Sequence, residues 1–140
     1  MNSKISFNIY KYVNVIDTLI ENSKNSDCSY KHAAAVIKHD KILAIGINHF
    51  KGISIHAEVD AIKNYLKKYN KKRLDGLDLI VIRNSGMNLS YSKPCKYCCL
   101  FLKEKGIRNI FYSDYSGNIT IENVETINNS HICCYKRNTE

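Results

Sequence analysis

The sequence contains no long hydrophobic run and no recognisable export segment. No stretch approaches the roughly 18 consecutive apolar residues of a membrane-spanning helix, so we expect none. Residues 1–8 lack a continuous apolar region and a small-residue cleavage site, so secretion is not expected. Two of the six cysteines stand at metal-binding spacing. Together these features favour a reduced, cytoplasmic setting over a disulfide-bonded one.

Tryptophan is absent, and only four phenylalanines are present. No segment interleaves aromatic and basic residues, which disfavours a stacking platform for single-stranded nucleic acid, although ten tyrosines keep that alternative open. The formal net charge of +8 suits anionic partners such as nucleotides or nucleic acid. An equally simple interpretation is a lysine-rich composition without a specific partner.

Internal repeats, low-complexity tracts and linkers are also missing. A chain of 140 residues has room for one domain with a real core, so we expect a single domain over residues 1–140. Its core should span about residues 31–124. The tail at residues 126–140 carries little pattern and is left unassigned.

Hydrophobic periodicity predicts three helices and five strands. The helices are expected at Phe7–Ser23, Ser54–Tyr69 and Pro94–Lys105. The strands are expected at Ala33–Ile37, Lys41–Gly46, Leu77–Ile82, Ile110–Tyr112 and Ile119–Val124. The basic run that ends the second helix, residues 67–73, is interpreted as a solvated helix end, with a phosphate-binding surface as the alternative.

The order of these elements predicts an α/β fold with a mixed five-stranded sheet and helices on its faces. The third strand, the helix after it and the fourth strand should form a right-handed parallel crossover. The short connection Ser116–Asn118 predicts that the last strand is antiparallel to the fourth. The predicted strand order is 2-1-3-4-5.

Two short motifs, His56-Ala57-Glu58 and Pro94-Cys95-Lys96-Tyr97-Cys98, carry the chemistry. Zn²⁺ prefers His and Cys ligands, and three protein ligands leave open the fourth position that a catalytic site needs. Both motifs should arise together by chance on the order of once in 10⁴ chains of this size. We therefore predict a zinc site at His56, Cys95 and Cys98. A structural zinc would want a fourth protein ligand.

The expected chemistry is hydrolytic. A zinc ion at these ligands would activate water for attack on an electrophilic amidine carbon, such as C4 of cytosine. Glu58, placed beside the metal, would take the proton of the water, pass it to the ring nitrogen and protonate the leaving amine. A non-catalytic zinc scaffold would have no need of this carboxylate. H-x-E followed by P-C-x-x-C is the signature of zinc nucleobase deaminases.

The remaining cysteines and histidines are given simpler roles. Cys99 is expected to be a packing residue, and Cys28 an ordinary thiol. His32 and His49 are expected to be hydrogen-bonded or exposed. A second metal cluster at His131, Cys133 and Cys134 is not favoured, because no fourth ligand stands at a recognisable spacing.

The chain resembles the CMP/dCMP-type zinc deaminases of the cytidine deaminase superfamily over about Lys31–Val124. The resemblance rests on both motifs and on Gly46-Ile47-Asn48, in the family's order. It implies a three-layer α/β/α sandwich, a catalytic zinc, release of ammonia and a homo-oligomer with active sites near subunit contacts. By similarity, Asn48 would hydrogen-bond the substrate sugar or base, and the backbone of Ala57 would meet the base edge.

The resemblance favours a cytosine nucleoside or nucleotide as a small-molecule substrate. Small cytidine deaminases have a third cysteine at the position of His56. A histidine at this position resembles the deoxycytidylate, tRNA-adenosine and guanine deaminase groups. An antiparallel fifth strand departs from the deoxycytidylate and tRNA-editing groups, whose fifth strand usually runs parallel. Deamination of tRNA adenosine, guanine or single-stranded nucleic acid therefore stays open as an alternative.

Overall fold

The computed structural model describes residues 9–127, which form three helices and eight strands. The helices are α1 (Ile9–Ser23), α2 (Ala57–Tyr69) and α3 (Lys96–Lys105). The main strands are β1 (Lys31–Lys38), β2 (Lys41–Ile47), β5 (Asp78–Asn84), β7 (Asn109–Ser113) and β8 (Ile119–Asn123). Three two-residue strands are β3 (His49–Phe50), β4 (Ser54–Ile55) and β6 (Leu89–Ser90). Among residues 9–127, no helix combines the length and apolar character needed to cross a bilayer.

The main sheet has the order β2-β1-β5-β7-β8, which confirms the predicted order 2-1-3-4-5. Strands β5 and β7 are parallel, as expected for strands joined through helix α3. The pairs β1/β2, β1/β5 and β7/β8 are antiparallel. The antiparallel last strand predicted from Ser116–Asn118 is therefore confirmed. Strand β6 adds a short pairing at the end of β5.

Each face of the sheet is covered by helices, so the predicted three-layer sandwich is confirmed. Along β1, Ala34 and Val36 belong to the core under α2 and α3. The alternate residues Ala35 and Ile37 belong to a second core under α1. Because successive side chains of a strand point to opposite faces, a continuous apolar strand serves two helical layers.

Two helices begin later than predicted. Ser54–Ile55, expected at the start of the second helix, pairs as β4 with β3, and His56 keeps an extended backbone with φ −75° and ψ 149°. Pro94 lies before the third helix, because Cys95 is its extended N-cap with φ −70° and ψ 171°. Both differences come from tertiary pairing or capping that helical periodicity does not report. The end of that helix at Gly106 is confirmed.

Gly46 allows α2 to lie directly on β2. A Cβ atom added there would stand 2.1 Å from the backbone nitrogen of Ala61 and 2.7 Å from the carbonyl oxygen of Ala57. Only glycine permits such a close approach of two backbones. The contact fixes the first turn of α2, which follows His56.

Candidate functional site

The two sequence motifs meet at the N-termini of α2 and α3. His56 is the N-cap of α2, Cys95 is the N-cap of α3, and Cys98 lies in the first turn of α3. The Nδ1 atom of His56 is 3.1 Å from Sγ of Cys98 and 3.8 Å from Sγ of Cys95. One ligand atom from each of the three residues lies within 4.8 Å of the others. Within residues 9–127 no other group of three His, Cys, Asp or Glu side chains meets this criterion.

The lowered pKa of Cys95 and the donor types of this group suit a metal ion, which would displace the proton of His56 on binding. The hydrogen bond from Cys98 lowers the pKa of Cys95 well below its ordinary value, against the opposing effect of burial, and His56 lowers it further. Burial lowers the pKa of His56, but the contact with Cys95 and the charge of Glu58 outweigh burial and raise it. A thiolate is the form of cysteine that binds metals, and two sulfurs with one imidazole match zinc. The donor set therefore fits the predicted ion.

Glu58 is buried beside these three residues without belonging to the ligand group. It is the second residue of α2, its exposed fraction is 5%, and it lines the adjoining cavity. Burial raises the pKa of its carboxyl group, while the charge of His56 acts in the opposite direction. The carboxyl group is therefore held at the cavity wall, where it can exchange protons.

A cavity of about 670 Å³ opens beside the ligand group. Its size is typical of small-molecule sites, which occupy about 300–1,000 Å³. The lining includes all but one of the predicted site residues, Cys98 being the exception: Asn48, His56, Ala57, Glu58 and Cys95. Ala57, the first residue of α2, is 1% exposed.

Asn48 holds the cavity wall together through its side-chain amide. Its Oδ1 atom accepts hydrogen bonds from the hydroxyl of Ser26 at 2.7 Å and from the backbone nitrogen of His32 at 2.8 Å. Its Nδ2 atom donates to the carbonyl oxygen of Tyr30 at 2.6 Å. The amide thus fastens the segment before β1 to the end of β2. The predicted contact with a substrate stays a prediction.

Four further cavity residues were not predicted from the sequence. The guanidinium of Arg83 lies 4.1 Å from the ring centroid of Tyr30. The rings of Tyr91 and Tyr115 stack with centroids 4.3 Å apart and an angle of 1° between their planes. All four residues line the cavity. Tyr30 and Arg83 meet because β1 and β5 are neighbours. The one available sequence signal was that Arg83 is the first charge after the predicted strand Leu77–Ile82.

A buried ion pair anchors the segment that carries Cys95. The ammonium of Lys93, a cavity residue, is 3.3 Å from a carboxylate oxygen of Glu122 on β8. Both side chains are largely buried, and the hydroxyl of Tyr112 donates to the same oxygen. Because breaking a buried pair leaves an uncompensated charge, this contact resists movement of the loop before Pro94.

The other cysteines and histidines fall outside the ligand group. Cys99 is buried in the core, and its Sγ atom donates to the carbonyl of Pro94 at 3.5 Å, which confirms a packing role. His49 contacts a carboxylate oxygen of Asp60 at 3.3 Å. Cys28 and His32 line the cavity. Residues 131, 133 and 134, considered for a second metal site, lie outside the described residues.

The sequence matches the family described as "Cytidine and deoxycytidylate deaminase zinc-binding region" over residues 10–114. No curated protein matches it.

Several solved structures have a similar fold. The cytidine deaminase from Burkholderia pseudomallei gives a TM-score of 0.60 at 16% identity, covering 82% of this chain and 98% of that one. The dCMP deaminase from the cyanophage S-TIM5 gives 0.53 at 22% identity, covering 75% and 81%. A structure from a study of A-to-I editing by tRNA:A34 deaminases gives 0.54 at 18% identity, covering 76% and 78%.

Proposed function

Because the chain belongs to the cytidine and deoxycytidylate deaminase family, we propose that it hydrolytically deaminates a cytosine nucleoside or nucleotide and releases ammonia. One observation carries the proposal. A buried carboxyl group, Glu58, lines a cavity of nucleoside size directly beside a His–Cys–Cys group. A structural zinc site gives no reason for a carboxyl group at this place.

We propose His56, Cys95 and Cys98 as the zinc ligands. When bound, zinc supplies the activation of a water molecule for attack on the base carbon that carries the amino group. The ligand group lies at the N-termini of α2 and α3, and the positive ends of the two helix dipoles favour anionic ligands there. The helices and the Lys93–Glu122 pair hold the ligand atoms close together before any ion arrives.

Glu58 is the proposed general acid and base. It accepts a proton from the attacking water and delivers it to the ring nitrogen. It then moves the remaining proton of that water from the new hydroxyl group to the departing amino group, so that ammonia leaves and a carbonyl forms. A raised pKa suits this role, because a carboxyl group with a pKa near the working pH both accepts and returns a proton. Burial gives Glu58 a shift in this direction.

Asn48 and Ala57 are the proposed substrate-positioning residues. Ala57 lines the cavity next to Glu58, and its backbone is proposed to meet the base edge. Asn48 already uses its amide to fasten the wall, and its Nδ2 atom contacts both the carbonyl oxygen of Tyr30 at 2.6 Å and Nδ1 of His32 at 3.5 Å. Its proposed contact with the sugar or base therefore replaces the longer of these two, the contact with His32. The proposed setting is cytoplasmic, and the proposed assembly is a homo-oligomer.

A second candidate function is deamination within a single-stranded nucleic acid. Tyr115, a cavity residue, is 84% exposed and stacks on Tyr91, and Tyr30 is 64% exposed. Exposed aromatic faces of this kind can stack on the bases that flank a deaminated one. The fold alone is compatible with both candidates, since the structural neighbours include deaminases of nucleosides, of nucleotides and of tRNA.

A substrate panel separates the candidates. Zinc-loaded protein is incubated with cytidine, CMP, dCMP, adenosine, guanine and a short single-stranded RNA, and ammonia release is measured. We expect turnover of at least one of cytidine, CMP and dCMP to exceed the turnover of adenosine, guanine and the RNA. Activity on RNA alone would favour the second candidate, and no activity on any compound would contradict the enzyme proposal.

A further inference from the structure

We propose that Arg83, with Lys31, binds the phosphate of a nucleotide substrate, so that the preferred substrate is a nucleoside monophosphate. The inference rests on the proposed function and names the substrate class within it. Arg83 lines the cavity that holds Glu58 and also lines a second cavity of about 550 Å³. The two cavities share Ser29, Tyr30 and Arg83, so Arg83 stands at their junction.

The second cavity has the charge of an anion site. Its lining contains three cations, Lys24, Lys31 and Arg83, with the hydroxyl groups of Ser29 and Ser85, and no acidic residue. In the first cavity Glu58 is the one acidic lining residue, and it lies at the ligand group. If the base lies at Glu58, a phosphate at the junction would therefore be surrounded by cations and kept apart from the one carboxylate of the first cavity.

Arg83 differs from most of the neighbouring cations in having no carboxylate partner among residues 9–127. Lys24 forms an ion pair with Glu21 at 3.1 Å, and Lys93 is paired with Glu122 at 3.3 Å. Lys31 donates to a backbone carbonyl, that of Ser26, so its charge is not neutralised. Within residues 9–127 no carboxylate lies within ion-pair distance of Arg83.

The position of Arg83 is also constrained. Its guanidinium lies over the ring of Tyr30 at 4.1 Å, and its backbone is held between His32 of β1 and Ser90 of β6. A guanidinium held by stacking loses little further freedom when it binds, and its fork matches two phosphate oxygens. These contacts make Arg83 the principal phosphate ligand, with Lys31 as a second charge.

The first test compares substrates that differ only in the phosphate. We expect zinc-loaded wild-type protein to deaminate CMP with a higher kcat/KM than cytidine. In Arg83→Gln the ratio of these two values should fall about 10- to 100-fold, the loss of charged hydrogen bonds to phosphate. Arg83→Lys should fall between the two, because it keeps the charge without the fork. The matched control Lys72→Gln removes an exposed charge that lines neither cavity and should leave the ratio unchanged.

The second test does not depend on activity. Inorganic phosphate is titrated into the protein while backbone amide signals are followed by NMR. We expect the amides of Ser29, Tyr30 and Ser85 to shift saturably in wild type and in Lys72→Gln, and not in Arg83→Gln. Absence of these shifts in wild type overturns the phosphate site, whatever compound the enzyme deaminates.

The outcomes separate this inference from the proposed function. Equal kcat/KM for cytidine and CMP in wild type overturns the phosphate site while the deaminase proposal stands. Absence of all deamination, with phosphate shifts that depend on Arg83, overturns the proposed function while the phosphate site stands. Arg83→Gln could instead lower turnover of a short RNA without 5′ phosphate and leave the CMP-to-cytidine ratio unchanged. That result would assign Arg83 to a phosphodiester and overturn the monophosphate inference.

Discussion

Glu58 lies beside the ligand group, where a carboxyl group is costly to ionise. It is 5% exposed, and the thiolate of Cys95 opposes its ionisation while His56 favours it. Removing a carboxylate from water costs free energy unless nearby charges or hydrogen bonds replace the solvent. The N-terminus of α2 provides part of that replacement, and an ion at the ligand group would provide more.

The first prediction concerns Glu58→Gln. The amide keeps the size and hydrogen-bonding reach of the side chain but cannot accept a proton at neutral pH. Turnover of the true substrate should fall by at least about 10²–10⁴-fold, the usual range for general acid–base catalysis. Because Glu58 is not a proposed ligand, zinc content and thermal midpoint should stay near those of wild type. Rate assays, metal analysis and thermal melts check these three expectations.

An exposed glutamate supplies the matched control for this substitution. Glu125→Gln makes the same chemical change at an exposed position after β8, and its turnover should equal that of wild type. If Glu58→Gln retains zinc and deaminates at the wild-type rate, the role assigned to Glu58 is wrong.

The ligand group was predictable from the sequence, and the contact between Arg83 and Tyr30 at the proposed phosphate site was not. His56, Cys95 and Cys98 lie within two short motifs whose spacing limits what they can do. Arg83 and Tyr30 lie in different motif-free segments and meet only through the pairing of β1 with β5. Periodicity predicts that a strand exists, but the identity of its neighbours depends on the whole fold.

Secondary structure elements show the same division between local and tertiary information. The apolar pattern of β1 predicted a strand, and the glycine at Gly106 predicted the end of α3. The start of α2 was misplaced because Ser54–Ile55 pairs with His49–Phe50. That pairing keeps His56 extended, so the imidazole precedes the helix instead of lying within its first turn.

The second prediction concerns the contact of α2 with β2. Gly46→Ala would place a Cβ atom 2.1 Å from the backbone nitrogen of Ala61, and backbone cannot move aside as a flexible side chain does. We expect a loss of about 1–3 kcal/mol in the free energy of unfolding, the usual cost of overpacking. Because α2 follows His56, zinc affinity should fall as well. Urea unfolding and a competitive chelator titration measure the two effects.

Gly52→Ala separates steric overlap from backbone conformation. Gly52 has a φ of +76°, and no heavy atom lies within 4 Å of the Cβ atom that alanine would add. Its cost should come from the left-handed backbone alone, about 1 kcal/mol, with zinc affinity unchanged. An equal effect of both substitutions on zinc affinity would contradict the proposed link between Gly46 and the ligand group.

At the scale of the whole molecule, the fold brings together two helix N-termini that are far apart in the sequence. Helix α2 lies on β2 and β1, while α3 follows β5 in the parallel crossover, and both cover the same face of the sheet. The His–Cys–Cys group therefore exists only in the folded chain. Since a bound ion stabilises the state that binds it, zinc and folding should be coupled.

The last prediction is that the whole chain binds about one zinc ion, and that the ion is lost when Cys98 becomes alanine. Removing one thiolate leaves two ligands, which hold zinc poorly, so Cys98→Ala should lose both the metal and the added thermal stability. Cys99→Ala is the matched control, because Cys99 is the adjacent buried cysteine outside the ligand group. It should keep the metal while losing about 1 kcal/mol of stability from packing.

Metal analysis of natively purified protein, with thermal melts before and after chelation, measures both predicted effects. Zinc near zero in wild type, or equal loss from the two variants, would contradict the site. A stoichiometry near two would instead assign a second ion to His131, Cys133 and Cys134, the cluster that the sequence did not favour. In that case Cys98→Ala should still release one of the two ions, since the clusters share no ligand.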